Sequence, residues 1–359
     1  MKICIIGTGL TSLTLAKTLV NLGLKVDLFL NDEQNIYDKS QTLGISASNI
    51  DFFNKNILKI NHLLWGINNI KIFSENLKDE KILDFKNENK QLFFIVKNSE
   101  LFSYLLSKLK KNKLLNIKRN KKANISNEDY NLIINTDFKN SINKKFFFNK
   151  FIKNYNSYGH VTIIEHKKIF KNNTAVQIFT ENGPIAFLPI SQNQTSVVYS
   201  AKGIKKIEKS KLDHLIKKNF KTNYIKKIYD PKSFELKSID LRTYHYKNIL
   251  AFGDLLHRLH PLAGQGFNMT IRDIKALYEI INYKINLGIQ IDASTCVEFE
   301  KKVKPQNYLF SNGIDLIYEF FNIENKIKTS LISRSVKFLG KNKSLNKFFT
   351  KVADTGTVI

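Results

Sequence analysis

The chain has 359 residues, more than one typical domain needs, and its 43% hydrophobic content excludes wholesale disorder. Lys and Arg outnumber Asp and Glu by 57 to 31, a formal net charge of +26, yet the arginines are only Arg119, Arg242, Arg258, Arg272 and Arg334. Nucleic-acid recognition would call for arginine clusters interleaved with aromatics, so nucleic acid is not an expected partner. Cys4 and Cys296 offer neither a disulfide framework nor metal-ligand spacing, which points to a reducing compartment and no metal. The absence of a long apolar run predicts no membrane span, and a fold that starts at once predicts no signal peptide.

The first element is an apolar strand, Lys2–Ile6, followed by Gly7-Thr8-Gly9-Leu10-Thr11-Ser12. A helix with apolar Leu13, Leu15, Ala16 and Leu19 runs to Gly23, and a second strand covers Lys25–Leu30. This is a βαβ unit, the setting in which G-x-G-x-x-G has meaning. Gly7 permits the turn, Gly9 admits a pyrophosphate, and Ser12 replaces the third glycine with a small residue. Residues 44–66 carry apolar positions near helical spacing, and Ile70–Val96 alternates like strands around a turn at Asn87-Glu88-Asn89. Leu101–Leu115 reads as a helix with Ser99 as its cap. Asp129–Asn135 reads as a buried strand leading to Asp137, and Lys205–Asn219 as a helix. Between them, residues 158–200 hold several β segments broken at Lys171–Asn173, Asn182–Pro184 and Gln192–Gln194, a sheet suited to the floor of a substrate pocket. Tyr244, His245 and Tyr246 then precede an apolar strand end, Ile249–Phe252.

That strand runs into Gly253-Asp254-Leu255-Leu256-His257-Arg258-Leu259-His260-Pro261, then Gly264-Gln265-Gly266-Phe267-Asn268 and Arg272-Asp273 within a helix. An acid at a strand end can accept hydrogen bonds from ribose hydroxyls. A glycine-shaped turn opening a helix offers backbone N–H groups to an anionic or electron-rich group. His257 and Arg258 suggest contact with phosphate or nicotinamide, against a default of a solvated loop.

These two ends resemble the flavin-dependent aromatic hydroxylases of ubiquinone biosynthesis, the relatives of para-hydroxybenzoate hydroxylase. Gly7–Ser12 matches the loop that holds the ADP half of FAD. Gly253-Asp254, His260-Pro261, Gly264-Gln265-Gly266, Asn268 and Arg272-Asp273 match the segment that wraps the flavin. Glu181–Pro189, Phe299–Asn307 and the helical tail extend the similarity over nearly the whole chain. The resemblance implies an α/β fold: a three-layer, Rossmann-like FAD-binding domain interleaved with a mainly β substrate domain, plus a helical C-terminal tail. Residues 1–69, 97–150 and 247–300 would form the first, 70–96 and 151–246 the second, and 301–359 the tail. It assigns FAD contacts to Gly7, Gly9, Leu10 and Thr11, to Asn31, Gln41 and Asp137, to Gly253 and Asp254, and to Pro261, Gly264, Gln265, Gly266, Phe267 and Asn268. His260 and Pro261 would border the flavin ring.

Three departures stand out. Leu30 replaces the acid that binds the adenosine ribose, Gln41 replaces an arginine, and Phe138 follows Asp137 where the family has glycine beside the cofactor. The resemblance implies a monooxygenase that uses NAD(P)H and O2 to hydroxylate a polyprenylated phenol, an intermediate of ubiquinone. Its isoprenoid tail would stay in the bilayer. The stretch Lys326–Val352, lysines interleaved with Leu331, Val336, Phe338, Phe348 and Phe349, is accordingly read as lying on an anionic membrane. The expected location is cytoplasmic, peripheral to the inner membrane, docked to other ubiquinone-biosynthesis proteins. Two readings stay open beside it: a FAD-poor, non-catalytic scaffold, and a hydroxylase of another small aromatic.

Overall fold

A computed structural model describes residues 1–30, 41–75, 80–86, 90–119, 129–220, 224–259 and 264–327. The chain opens with Lys2–Ile6 (β1), Leu10–Asn21 (α1) and Lys25–Leu30 (β2), continues with Thr42–Ser46 (β3) and Ala47–Phe52 (α2), and then Trp65–Ile67 (β4), Asn69–Ser74 (β5), Glu80–Lys86 (β6) and Phe93–Lys97 (β7). Asn98–Leu109 (α3), Leu115–Arg119 (β8), Leu132–Asn135 (β9) and Ser141–Phe146 (α4) follow. Next come Lys150–His166 (β10), Thr174–Thr180 (β11), Gly183–Pro189 (β12), Gln194–Lys202 (β13), Lys209–Asn219 (α5), Ile225–Ile228 (β14) and Lys232–Leu241 (β15). The last elements are His245–Tyr246 (β16), Ile249–Ala251 (β17), His257–Arg258 (β18), Gly266–Asn286 (α6) and Ala293–Ile327 (α7).

Two large sheets organise these elements, and the mixed α/β fold expected from the sequence is the one observed. A six-stranded sheet has the order β16-β17-β9-β1-β2-β8, parallel except for the β16–β17 hairpin. Parallel strands need both faces covered. The apolar runs of β1 and β9 meet that need, burying Ile3, Ile5, Ile133 and Ile134 in one core with Leu13 of α1, Ile271 of α6 and Phe299 of α7. The second sheet, ordered β18-β15-β10-β13-β12-β11-β5-β6 with β14 beside β10, is antiparallel apart from β11–β5. A small sheet, β3-β7-β4, stands apart from both.

Local readings fail where side chains intervene. The predicted helix over 44–66 is a strand to Ser46, then a helix that widens to a π turn at Phe53–Ile57 and becomes extended at Leu58. Asn54 ends it: its Oδ1 accepts from Ile60 N at 2.9 Å and its Nδ2 donates to Asn61 at 2.7 Å. This side-chain competition for backbone groups has no periodic signature. Ser99 does not cap its helix either, because α3 begins a residue earlier, with Lys97 at the cap position and no side-chain cap bond.

Asp27 in β2 is a buried acid whose charge is held in place. Burial pushes its carboxyl up, but hydrogen bonds from Lys118, Tyr130 and Lys2 outweigh this and hold it near about 2. The Nζ atoms of Lys118 and Lys2 lie 2.8 and 3.1 Å away, and Tyr130 Oη donates at 2.7 Å. A folded-state value below the unfolded one contributes stability above about pH 4 that fades as pH falls towards 2. The shift amounts to about 2 kcal/mol. Acid titration of unfolding should therefore show Asp27→Asn losing most of that amount at neutral pH and nothing below pH about 2. An equal deficit at both ends would refute the assignment.

Candidate functional site

Three adjacent parallel strands, β17, β9 and β1, end at the same edge of the six-stranded sheet. The Gly7, Asp137 and Gly253 loops are thereby brought together, at the carboxyl ends where open α/β sheets bind ligands. Gly7 has φ +138°, and its N–H donates to Phe29 O at 3.0 Å. A Cβ there would fall 2.0 Å from Thr136 Oγ1, so only glycine fits. Gly9 stands at the N-cap of α1 with no side-chain cap bond. Ser12 is buried and turns its Oγ back to Gly9 O at 2.9 Å, so the third motif position closes the loop without filling it.

The second motif docks directly on the first. Gly253 has φ +66°, and a Cβ would lie 2.8 Å from Thr11 Cγ2. Asp254 is solvent-exposed although Gly253 and Leu255 on either side are buried. Crowding by the surrounding protein pushes its carboxyl above the ordinary range, against the pull of Arg258 and His257. An accessible carboxylate set within protein mass is suited to accept hydrogen bonds from ligand hydroxyls.

Further along, Gly264 has φ +63° and lies close enough to Gly44 of β3 that a Cβ would meet Gly44 N at 3.7 Å. Gln265 carries a buried Oε1 with no hydrogen-bond partner among the described residues. Such an atom normally has a partner. Asn268, expected at the cofactor, spends its amide elsewhere. Its Nδ2 donates to Gly44 O at 2.9 Å, and its Oδ1 accepts from Ser46 N at 2.8 Å and Asn49 Nδ2 at 2.9 Å. It splices the start of α6 onto β3. Gln41, just before β3, accepts through its carbonyl from Asn98 N at 3.0 Å, and Thr42 donates to Ser196 of β13 at 2.9 Å. The small sheet thus bridges the flavin-type loop and the nine-stranded sheet. Phe267 is half-buried against the main core.

Asp137 accepts from Lys139 N at 2.9 Å, holding its own turn. Phe138, beside it, is half-buried and packs in part against the main core. Asn31, His260 and Pro261 lie outside the described residues.

Sequence reasoning missed one buried group. His257 is neither solvated nor turned to a phosphate: its Nε2 hydrogen-bonds Asp273 Oδ2, while Asn307 Nδ2 donates to Asp273 Oδ1 at 3.0 Å. Both partners are about 1% exposed. Burial lowers the imidazole's pKa, but Asp273, with Asp254 and Asp240 behind it, reverses the balance and raises it. The group joins the loop after β17 to α6 and α7. Asp273 stands 16 residues beyond His257 in sequence, and no motif reading joined the two. Tyr244 is buried, whereas Tyr246 is exposed and stacks on Phe146 at 4.2 Å.

The fold is shared with solved monooxygenase structures. The structure of p-nitrophenol 4-monooxygenase from Pseudomonas putida matches with a TM-score of 0.78 at 11% identity, covering 99% of this chain and 97% of that one. Klebsiella pneumoniae HpxO, solved with FAD and uric acid, matches at 0.76 and 13% identity, covering 100% and 97%. Residues 150–286 match the FAD binding domain family, and parts of the chain are similar to ubiquinone-biosynthesis hydroxylases. Escherichia coli 3-demethoxyubiquinol 3-hydroxylase is 30% identical over 155 residues, 41% of this chain and 39% of that protein. Rhodospirillum rubrum ubiquinone hydroxylase UbiL is 26% identical over 46% of this chain and 41% of its own length. Dictyostelium discoideum mitochondrial COQ6 is 28% identical over 35% and 26%. The matches thus span less than half of each of these relatives.

Proposed function

We propose that this protein is an FAD-dependent monooxygenase that hydroxylates the ring of a polyprenylated phenol, with NAD(P)H as electron donor and O2 as oxygen source. The observation that carries the reading is the docking of Gly253-Asp254 on Thr11. It puts the two halves of a dinucleotide-flavin cradle, far apart in sequence, at one sheet edge. The residues fit such a group: glycines stand where a Cβ would collide, Asp254 offers an accessible carboxylate, and Gln265 Oε1 lacks a partner among the described residues. FAD, when bound, supplies the redox and oxygen-transfer chemistry, so the protein needs no acid–base pair of its own.

The chain's own part is to hold and orient. The uncapped start of α1, with Gly7, Gly9, Leu10 and Thr11, receives the pyrophosphate. Asp254 accepts from ribityl hydroxyls. Gly264, Gln265 and Gly266 present backbone N–H groups and the positive end of α6 to charge that develops on the flavin ring, with Phe267 beside them. Asn268 acts at one remove, fixing β3 and hence Gln41. Asn31 completes the adenosine side and His260-Pro261 border the ring. The FAD-binding portion would comprise 1–69, 97–150 and 247–300, the substrate portion 70–96 and 151–246, and the C-terminal region 301–359. The ubiquinone-pathway hydroxylases among the relatives support the phenolic substrate.

Purified protein should be yellow, with bands near roughly 370 and 450 nm. Colourless protein that gains no flavin signal on FAD titration would leave the scaffold reading. Leu30 favours that second reading: at the end of β2 it packs on the core instead of offering a carboxylate to a ribose. With FAD bound, accumulation of a quinone intermediate in a deletion strain separates the phenol from another small aromatic.

A further inference from the structure

The described surface carries an apolar, cationic corner that the flavin site leaves unused. Phe148, Phe151 and Ile152 are 73%, 56% and 56% exposed within five residues, at the start of β10. Beyond Asn154 this strand is flanked on both sides, but here it pairs with β15 alone. Tyr308 of α7, 59% exposed, lies on the flank that also carries Lys304, Asp315 and Glu319. That flank faces the corner: Lys304 Nζ donates to Arg242 O, and Lys153 meets Asp315 and Glu319 at 3.5 and 3.1 Å. Arg242 lies over the Phe151 ring at 3.9 Å and Lys145 over Phe146 at 5.1 Å.

Charge decides what such a corner meets. Glu300 is paired with Lys304, and Asp315 and Glu319 with Lys153. Lys144, Lys145, Lys150, Arg242 and Lys247 have no acid partner among the described residues. Exposed aromatic side chains fringed by unpaired cations match an anionic bilayer, whose headgroups take the cations while its acyl boundary takes the rings. We propose that this corner, the start of β10 with the adjoining flank of α7, seats the protein on an anionic lipid surface. The inference does not depend on the substrate reading. It does bear on access, because Phe151 pairs with Asp240 and Asp240 with His257 across consecutive strands. Two strand spacings, roughly 10 Å, separate the corner from the loop after β17.

The test is co-sedimentation of the full chain with vesicles of phosphatidylcholine alone or mixed with phosphatidylglycerol. Wild type should bind the mixed vesicles and not the neutral ones. Phe148→Ser with Phe151→Ser, or Lys145→Glu with Lys150→Glu, should each cut partitioning by about tenfold or more. Circular dichroism reports that the variants are folded. Phe170→Ser with Lys168→Glu, at an equally exposed phenylalanine on the turn before β11, should bind like wild type. Four results would overturn the proposal: no vesicle binding by wild type, equal loss in patch and control variants, loss only with Phe338→Ser and Phe349→Ser in the tail, or patch variants that change oligomeric mass while keeping lipid affinity.

Discussion

Replacing Asp254 by Ala should raise the FAD dissociation constant by about ten- to a hundredfold while leaving thermal stability in the absence of FAD nearly unchanged. The size follows from losing hydrogen bonds to a charged acceptor, about 1.5–3 kcal/mol. The small effect on the fold follows from exposure: this carboxylate is open to solvent, and its pKa is raised by crowding rather than lowered by a partner. Removing it breaks no ion pair among the described residues. Affinity should also fall on acidification at a higher pH than an ordinary carboxylate would set, because the accepting form is lost as pH drops through a raised value. Asp254→Asn should keep the size and lose the pH dependence. Fluorescence titration of FAD from pH 5 to 8 reads all three. Asp32 is the nearest acid in sequence after Leu30, and if Asp32→Ala weakened binding as much as Asp254→Ala, the ribityl assignment would fail.

The contrast matters because the adenosine side is depleted. Leu30 packs on the core, so on the proposed reading, where an acid there would hold a ribose, the loop after β17 is expected to supply a large share of the grip. The βαβ unit declares itself through apolar runs of two different periods around Gly7 and Gly9, and the Gly253–Asp273 segment through its fixed spacing. What stayed hidden depended on contacts between distant residues. Asn268 looked like a ligand contact because it sits in the motif. Only its three bonds to β3 and α2, more than 200 residues away in sequence, show it as a splice. Residues 44–66 looked helical because apolar spacing does not register an asparagine side chain capturing Ile60 N–H.

The same limit concealed His257, whose loss should be the most damaging single change in the site. Its ring is buried beside Asp273, with Asn307 satisfying the second carboxylate oxygen. Breaking a buried pair on one side strands the other charge, at about 3–5 kcal/mol. His257→Leu should therefore cost about that much in chemical denaturation at pH 6. It should also weaken FAD binding, because the loop it anchors carries Asp254 three residues earlier. Asp273→Asn should cost less, since an amide can still accept from the imidazole. The pH dependence separates a charged pair from a neutral hydrogen bond. Asp273 raises the folded-state pKa of His257, so the pair's contribution is full below the unfolded value near 6.5 and is lost as pH rises through the folded value. Wild type should lose stability across that alkaline interval, while His257→Leu should lack this loss and lie closest to wild type at its upper end. A constant deficit from pH 6 to 9 would mean that the imidazole is neutral throughout, and that the loop is held by packing alone.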